Sequence, residues 1–314
     1  MELRDCAAWF RARDRFLLLT HSRPDGDTLC SAAALCRALR RAGKTAYLFE
    51  NPQVTESYRG YVEPLYAPPG FEAAFAVSID TADASMLPRG FQGTVDLALD
   101  HHSSNSGYAK ECLVWPDKAA CGELVLELLE ALGDVDQTEA ELLYIAVATD
   151  TGCFCFGNTR ADTLRAAARL VELGADNARL NRLLFRSSSP ARVALEGAIF
   201  ATLRSERGGE IVIATVTQAM LEAAGTTEDD CEDLASLPGR VAGSRASVTI
   251  RELPGRHSKI SLRTDGSLNA AAVCARFGGG GHSMAAGYET PRPPDAAAAE
   301  LLEALADVMD GAKR

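Results

Sequence analysis

A chain of 314 residues with nine cysteines, a formal charge of −11 and a mean hydropathy near zero describes a globular protein of two domains, each large enough to bury its own core. No run approaches the roughly 20 apolar residues of a membrane span, and the acidic balance excludes an extended basic groove for long duplex nucleic acid. Short nucleotides held by metal ions and a few arginines stay open.

The amino terminus, MELRDCAAWFRARDRF, mixes both charge signs with apolar residues as an amphipathic helix does, and lacks the apolar core of a secretion signal. The odd, scattered cysteines show no C-x-x-C spacing, which points to reduced thiols in a cytoplasm. Phe16 to Leu19 reads as a buried strand running into His21-Ser22-Arg23-Pro24-Asp25-Gly26-Asp27. Pro-Asp-Gly is turn chemistry, and Asp27 or Thr28 can cap the helix that follows; the same turn gathers an imidazole and two carboxylates at a strand's carboxyl end, where open α/β sheets place ligands. Helical spacing over 29–41 stops at Gly43, and a strand follows at 46–49. Residues 51–70 read as loop and short turns.

Further strands at 74–79 and 95–99 end in Asp80-Thr81-Ala82-Asp83 and Asp100-His101-His102-Ser103-Ser104-Asn105. Three of the chain's five histidines thus lie at acidic strand ends. Helices are expected over 121–132 and 139–149, the second ending at Asp150, where a carboxylate faces the negative helix end unless a cation lies near. Helices at 160–173 and 177–184 complete a domain over 1–185. Arg186-Ser187-Ser188-Ser189-Pro190 opens a linker assigned to 186–195, and 196–314 forms the second, smaller α/β domain, with the active-site cleft expected between the two. In its part of the chain the pattern predicts a helix at 191–203, strands at 210–217, 241–252 and 259–263, and helices at 228–237, 269–277 and 296–309. Between the last two, Gly278-Gly279-Gly280-Gly281-His282 is costly in entropy, and reads as a backbone loop approaching a phosphate.

The fold class is therefore α/β, with a doubly wound, mainly parallel sheet first. His21, Asp25, Asp27, Asp80, Asp100, His101, His102 and Asp150 form an imidazole and carboxylate set without thiolate, suited to manganese or magnesium more than to structural zinc. Two such ions about 3.5 to 4 Å apart can clamp a phosphoryl group.

The order HSRPDGD, Asp80 after a strand, DHHSSN, TDTG and GGGGHSMAAG closely resembles the DHH phosphoesterase superfamily with its DHHA-type carboxy-terminal domain, in particular the nanoRNase and pAp phosphatase group. The resemblance spans nearly the whole chain. It implies that His21, Asp25 and Asp80 hold one metal ion and that Asp27, Asp80, His101 and Asp150 hold the other, with Asp80 bridging. Asp100 would orient His101, and His102 would face the substrate phosphate. His282 with Gly279, Gly280 and Gly281 would close over the nucleotide, Arg263 in KISLRT would contact it, and Arg245 and Asn105 are further candidates. Relatives usually carry glycine where Cys30 precedes Ser31, which touches helix packing and removes no expected ligand.

The resemblance implies a two-metal phosphoesterase, with manganese first and magnesium or cobalt as alternatives, acting on short RNA, linear dinucleotides such as pApA and pGpG, and 3'-phosphoadenosine 5'-phosphate (pAp). Inorganic pyrophosphatase or exopolyphosphatase activity and a non-catalytic nucleotide sensor are the competing readings. No membrane or long duplex partner is expected, and both a monomer and a homodimer fit the sequence.

Overall fold

The structure, a computed structural model, describes residues 1–226, 229–231, 234–255 and 257–311. The chain divides into two compact units, Met1–Ser187 and Ser188–Arg314.

The first unit opens with α1 (Leu3–Arg11), whose Cys6, Ala7, Trp9 and Phe10 are buried on one face, as the amphipathic pattern requires. Then follow β1 (Phe16–Leu19), α2 (Gly26–Arg41), β2 (Ala46–Leu48), α3 (Glu56–Val62), β3 (Phe75–Ile79), β4 (Leu97–Asp100) and β5 (Glu111–Val114). Four helices close the unit: α4 (Cys121–Leu132), α5 (Gln137–Asp150), α6 (Ala161–Glu172) and α7 (Asn177–Phe185). All five strands are parallel, in the order β2-β1-β3-β4-β5.

That order reverses direction between β1 and β3, and the carboxyl ends of two strands that part in this way leave a crevice. Alternation along β1 sends Phe16 and Leu18 into the large core with the helices, and Leu17 and Leu19 to the opposite face. There Phe49, Leu87, Phe91 and Tyr108 provide the cover. Among the described residues no helix is long and apolar enough to cross a membrane.

The second unit runs α8 (Pro190–Phe200), β6 (Arg204–Glu206), β7 (Ile211–Val216), α9 (Gln218–Ala224), β8 (Ala246–Leu253), β9 (His257–Thr264), α10 (Ala270–Ala275), β10 (Gly280–Gly281), β11 (Ala285–Thr290) and α11 (Pro294–Gly311). Pro190 and the Ser189 hydroxyl, which accepts from the Arg192 N–H, start α8 inside the stretch assigned to a linker. The sheet order is β10-β11-β9-β8-β7-β6, antiparallel except for the β7–β8 pair. Ile211 and Ile213 pack with α10 and α11, while Ala214 and Val216 pack with α8 on the other side.

The helix expected at 228–237 is replaced by tight 3-10 turns at Asp229–Cys231 and Leu234–Arg240, the second holding Pro238, which lacks the N–H an α-helix needs; residues 228, 232 and 233 lie outside the described ones. The strand expected from 241 starts at Ala246, because Gly243 turns the chain with a φ of 83°.

The glycine run ends in an edge strand, Gly280–Gly281. Gly280 pairs with Gly287 and Gly281 with Ala286. A Cβ on Gly279 would stand 2.3 Å from the Gly287 carbonyl oxygen, and one on Gly281, at a φ of 140°, would stand 2.5 Å from that of Ala285. Gly278 has a φ of 76°. Gly280 alone of the four meets no atom within 4 Å and has no left-handed backbone. Gly279→Ala is therefore expected to destabilise the protein by about 1 to 3 kcal/mol in denaturant unfolding, and Gly280→Ala to stay within about 1 kcal/mol of wild type. Equal effects would contradict this division of the run.

Candidate metal centre

The turn after β1 is built around Asp25. Its extended backbone lets Oδ1 accept from the N–H groups of Asp27 at 3.1 Å and Thr28 at 3.2 Å, so Asp25, and neither Asp27 nor Thr28, caps α2. Thr28 instead ties elements together: its hydroxyl donates to the Ile79 carbonyl at 2.8 Å and accepts from the His21 N–H at 3.3 Å. Asn51 Nδ2 donates to the His21 carbonyl at 2.9 Å. A Cβ on Gly26 would lie 2.5 Å from Thr149 Oγ1, so this glycine lets the start of α2 approach the last turn of α5, next to Asp150.

Asp27 points to the amino terminus of α4. Oδ2 accepts from Cys121 N–H at 2.6 Å, and Oδ1 accepts from Gly122 N–H at 2.9 Å and Ser31 Oγ at 3.0 Å. The residue at the α4 cap position is Ala120, which cannot supply an oxygen, so a carboxylate from another helix takes that place. Each carboxylate oxygen has two lone pairs, and Oδ2 keeps one for a second partner.

Asp80 follows β3 with a φ of 55°, a left-handed conformation that aspartate tolerates better than most residues, and its N–H donates to the Leu99 carbonyl at 2.8 Å. Its two oxygens look opposite ways. Oδ2 stands 3.7 Å from His21 Nε2, which is also 3.5 Å from Asp25 Oδ1. Oδ1 stands 3.3 Å from His101 Nε2, which lies 3.8 Å from Asp27 Oδ2 and 3.7 Å from Asp150 Oδ2. Two groups result, His21 with Asp25 and Asp80, and Asp27 with His101 and Asp150, each with ligand atoms within 4.8 Å of one another. His102 joins Asp80 and His101 in a third, overlapping group.

Such an arrangement fits divalent cations. Asp80 Oδ1 is buried and receives no aligned hydrogen bond despite the nearby imidazole, a costly state for a carboxylate oxygen unless a cation meets it. Burial, then the charges of Asp80 and Asp150, push the Asp27 carboxyl well above the usual carboxylate range. Burial also raises Asp150, to about 6, with Asp80 and Asp25 adding to it and His101 opposing. Burial disfavours a proton on the histidines, yet the bond to Asp25 with its charge lifts His21 to about 9, and Asp80, Asp27 and Asp150 lift His101 to about 10.

Residues 15–147 match the DHH family, N-terminal domain, and residues 208–311 match the DHHA1 domain. A bifunctional oligoribonuclease and PAP phosphatase NrnA of Thermus thermophilus is 36% identical over 280 residues, covering 86% of this chain and 82% of that protein. The chain belongs to the DHH family. A protein of the same name from Bacillus subtilis is 28% identical, covering 87% of this chain and 88% of that one. The DHH fold is also that of an exopolyphosphatase-related protein of Bacteroides fragilis, with a TM-score of 0.89 at 21% identity over 99% of this chain and 97% of that one.

The DHH motif residues divide their work differently from the expectation. Asp100 does not orient the His101 ring; it touches His101 only through the backbone N–H, at 2.8 Å. Its ring partner is His102, with Nδ1 2.7 Å from Oδ1, while Asn105 Nδ2 donates to Oδ2 at 2.7 Å. The reason is steric direction: consecutive residues after a strand point to different sides, and only His102 turns back over Asp100. His101 Nδ1 meets the Lys118 carbonyl at 3.1 Å, a partner no side-chain motif announces. Asn105 is thus engaged with Asp100 and Thr81, and is a support for His102 where a substrate contact was expected.

In the second unit, Arg245 is committed to Glu210 at 3.0 Å and to Ser267 at 3.1 Å, against its expected role toward a substrate. Arg263 makes no ion pair among the described residues; its Nη1 donates only to the Leu262 carbonyl. It sits opposite Ala285 in the β9–β11 ladder, and Ala285 closes a turn with His282, so Arg263, Gly280, Gly281 and His282 share one end of this sheet.

Both raised histidine values exceed the ordinary 6.5, so at pH 7 the metal-free protein holds protons on His21 and His101 that a cation must displace. Their stabilising contribution to the metal-free fold is full below about pH 6.5 and is lost as pH rises through about 9 to 10. Adding manganese to metal-free protein in weak buffer at pH 7 should release protons, and the melting temperature of metal-free protein should fall across pH 8 to 10 more than that of loaded protein. Loading without acidification would contradict this charge state.

Proposed function

We propose that the chain is a manganese-dependent phosphoesterase that hydrolyses short oligonucleotides and linear dinucleotides such as pApA and pGpG to mononucleotides, and pAp to AMP. The observation that carries the reading is the carboxylate of Asp80, whose two oxygens face two separate sets of imidazole and carboxylate donors. The relatives named as oligoribonuclease and PAP phosphatase support the substrate class.

His21, Asp25 and Asp80 would hold one cation, and Asp27, Asp80, His101 and Asp150 the other. The pair, when bound, supplies Lewis-acid stabilisation to the phosphoryl oxygens and lowers the pKa of water. The chain's own residues do the rest. Burial pushes the Asp100 carboxyl up, but its bonds to His102 and Asn105 outweigh that and keep it ionised. The bond from Asp100 raises the proton affinity of His102 against the opposing effect of burial, leaving Nε2 as the donor of a partly exposed ring. As water attacks phosphorus in line with the departing ester oxygen, the forming P–O bond replaces the breaking one, and His102 passes its proton to the leaving oxygen. The proton lost by the attacking water restores it. Arg263, Gly280 and His282 are assigned to hold the nucleotide; Gly279 and Gly281 are assigned through their backbone, which shapes the turn.

Asp80→Ala is expected to lower dinucleotide hydrolysis by more than roughly 100-fold, the upper range for loss of an outer metal partner, with circular dichroism unchanged. Retained turnover would remove the two-metal account. His282→Ala should raise KM for pApA about 10-fold, the worth of a charge-assisted hydrogen bond, and leave a small chromogenic phosphodiester nearly unaffected. A parallel assay of pAp, pApA, pGpG, short RNA and pyrophosphate tests the substrate class, and turnover confined to pyrophosphate would overturn it.

A further inference from the structure

Four residues just before and within the first turn of α4 engage three of the candidate ligands, two directly and one through Asn158. The Lys118 carbonyl faces His101 Nδ1 at 3.1 Å. The Cys121 and Gly122 N–H groups hold both oxygens of Asp27. The Ala119 carbonyl accepts from Asn158 Nδ2 at 3.2 Å, and the same amide reaches the Asp150 carbonyl at 3.1 Å. His101, Asp27 and Asp150 are the three members of one ligand group, so a shift of this short segment moves all of them together.

Behind the segment lies Glu123, a carboxylate that no part of the proposed chemistry uses and that is only 1% exposed. Oε1 accepts from the Ala119 N–H at 3.0 Å and from the Thr163 hydroxyl at 2.9 Å, tying the segment to α6. Oε2 is buried with no hydrogen bond, and its nearest cation is Lys118 Nζ at 3.8 Å, which itself bonds Glu127 Oε1 at 2.7 Å. Burying a carboxylate with one oxygen unsatisfied is a poor choice for stability alone, where an apolar side chain of similar volume does as well or better. The charge does hold Lys118 from the side-chain end while its carbonyl meets His101.

We propose that Glu123 is a positioning residue for one metal subsite: through Lys118 and Ala119 it fixes the His101 ring, the Asp27 carboxylate and the Asp150 helix end, and leaves the His21, Asp25 and Asp80 group untouched. Asn158 completes the same brace from the Asp150 side. The proposal rests on the two-metal reading above, and its test separates the two because it reads metal uptake with no substrate present.

Calorimetric titration of the metal-free full chain with manganese should show two equivalents in the wild type, and Asp25→Asn identifies the one held by the His21 group. In Glu123→Ala the other equivalent is expected to weaken by roughly 10- to 100-fold, the range for loss of an outer-sphere partner, while the His21 equivalent stays within about threefold. Glu123→Gln should recover part of the loss, since its amide oxygen can still accept from Ala119 and Thr163 although the charge beside Lys118 is gone. Asn158→Ala should weaken the same equivalent, and it carries the test if Glu123→Ala does not fold. A purely structural role would lower the melting temperature of the metal-free protein and move both equivalents or neither. Parallel weakening of both, or unchanged uptake in Asn158→Ala and in whichever Glu123 variant folds, overturns the proposal; fewer than two equivalents in the wild type overturns it together with the two-metal reading.

Discussion

The constraint on which the first unit depends is mutual repulsion among carboxylates. Asp25, Asp27, Asp80 and Asp150 are drawn into one crevice with two imidazoles between them. The protein answers with backbone. Asp25 takes the first N–H groups of α2, and Asp27 takes the first N–H groups of α4, so the positive ends of two helices face negative side chains. Asp150 has no such help. It ends α5, where the dipole is of the wrong sign, and burial lifts its carboxyl to about 6; Asp27, fully buried beside Asp80 and Asp150, is raised well above the usual range even with its N–H partners. Bound cations relieve all four residues at once, and most of all Asp150 and the orphaned oxygen of Asp80.

Much of this could be read from the chain because the candidate ligands sit at the ends of apolar runs. His21 and Asp80 follow β1 and β3, and His101 follows Asp100 at the end of β4; each hydrophobic stretch is plain, and parallel strands that point one way must bring their ends together. The elements missed were those that carry little apolar signal. β5 is an edge strand with one fully buried side chain, Leu113, and β6 has none. β10 consists of two glycines, which have no side chain to alternate, and β11, with Ala285, Ala286 and Gly287, gains its order from pairing with β9 and β10.

The supports of the site were illegible for a related reason. Lys118 acts on His101 through a carbonyl, and Cys121 and Gly122 act on Asp27 through N–H groups, so the identity of those side chains says nothing about the contact. Glycine shows the converse case. Four in succession suggested a bare backbone kept clear for a phosphate, yet Gly278, Gly279 and Gly281 are each required by φ or by the close approach of β11. What remains available to a ligand is Gly280, where side-chain space is open and nothing in the backbone demands glycine.

The two adjacent histidines of the motif show how one dipeptide can serve two chemistries. Their ring centroids are 4.5 Å apart, but His101 is held by a neutral carbonyl and keeps Nε2 toward three carboxylates, as a metal ligand must. His102 is held by the ionised Asp100, itself pinned by Asn105, and its ring is more than twice as exposed, 30% against 13%. A carbonyl partner fixes the tautomer without adding charge, whereas a carboxylate partner favours the protonated ring. The three carboxylates facing Nε2 still lift His101 to about 10, so a cation entering there has a proton to displace, while the proposed role of His102 is to give its proton to an oxygen. Had Asp100 turned to His101 instead, a further negative charge would face the crowded crevice, and His102 would lose the group that keeps a proton on it. Separating the two partners, one backbone and one side chain, gives neighbouring rings different hydrogen-bond partners and different exposure while they share a strand end.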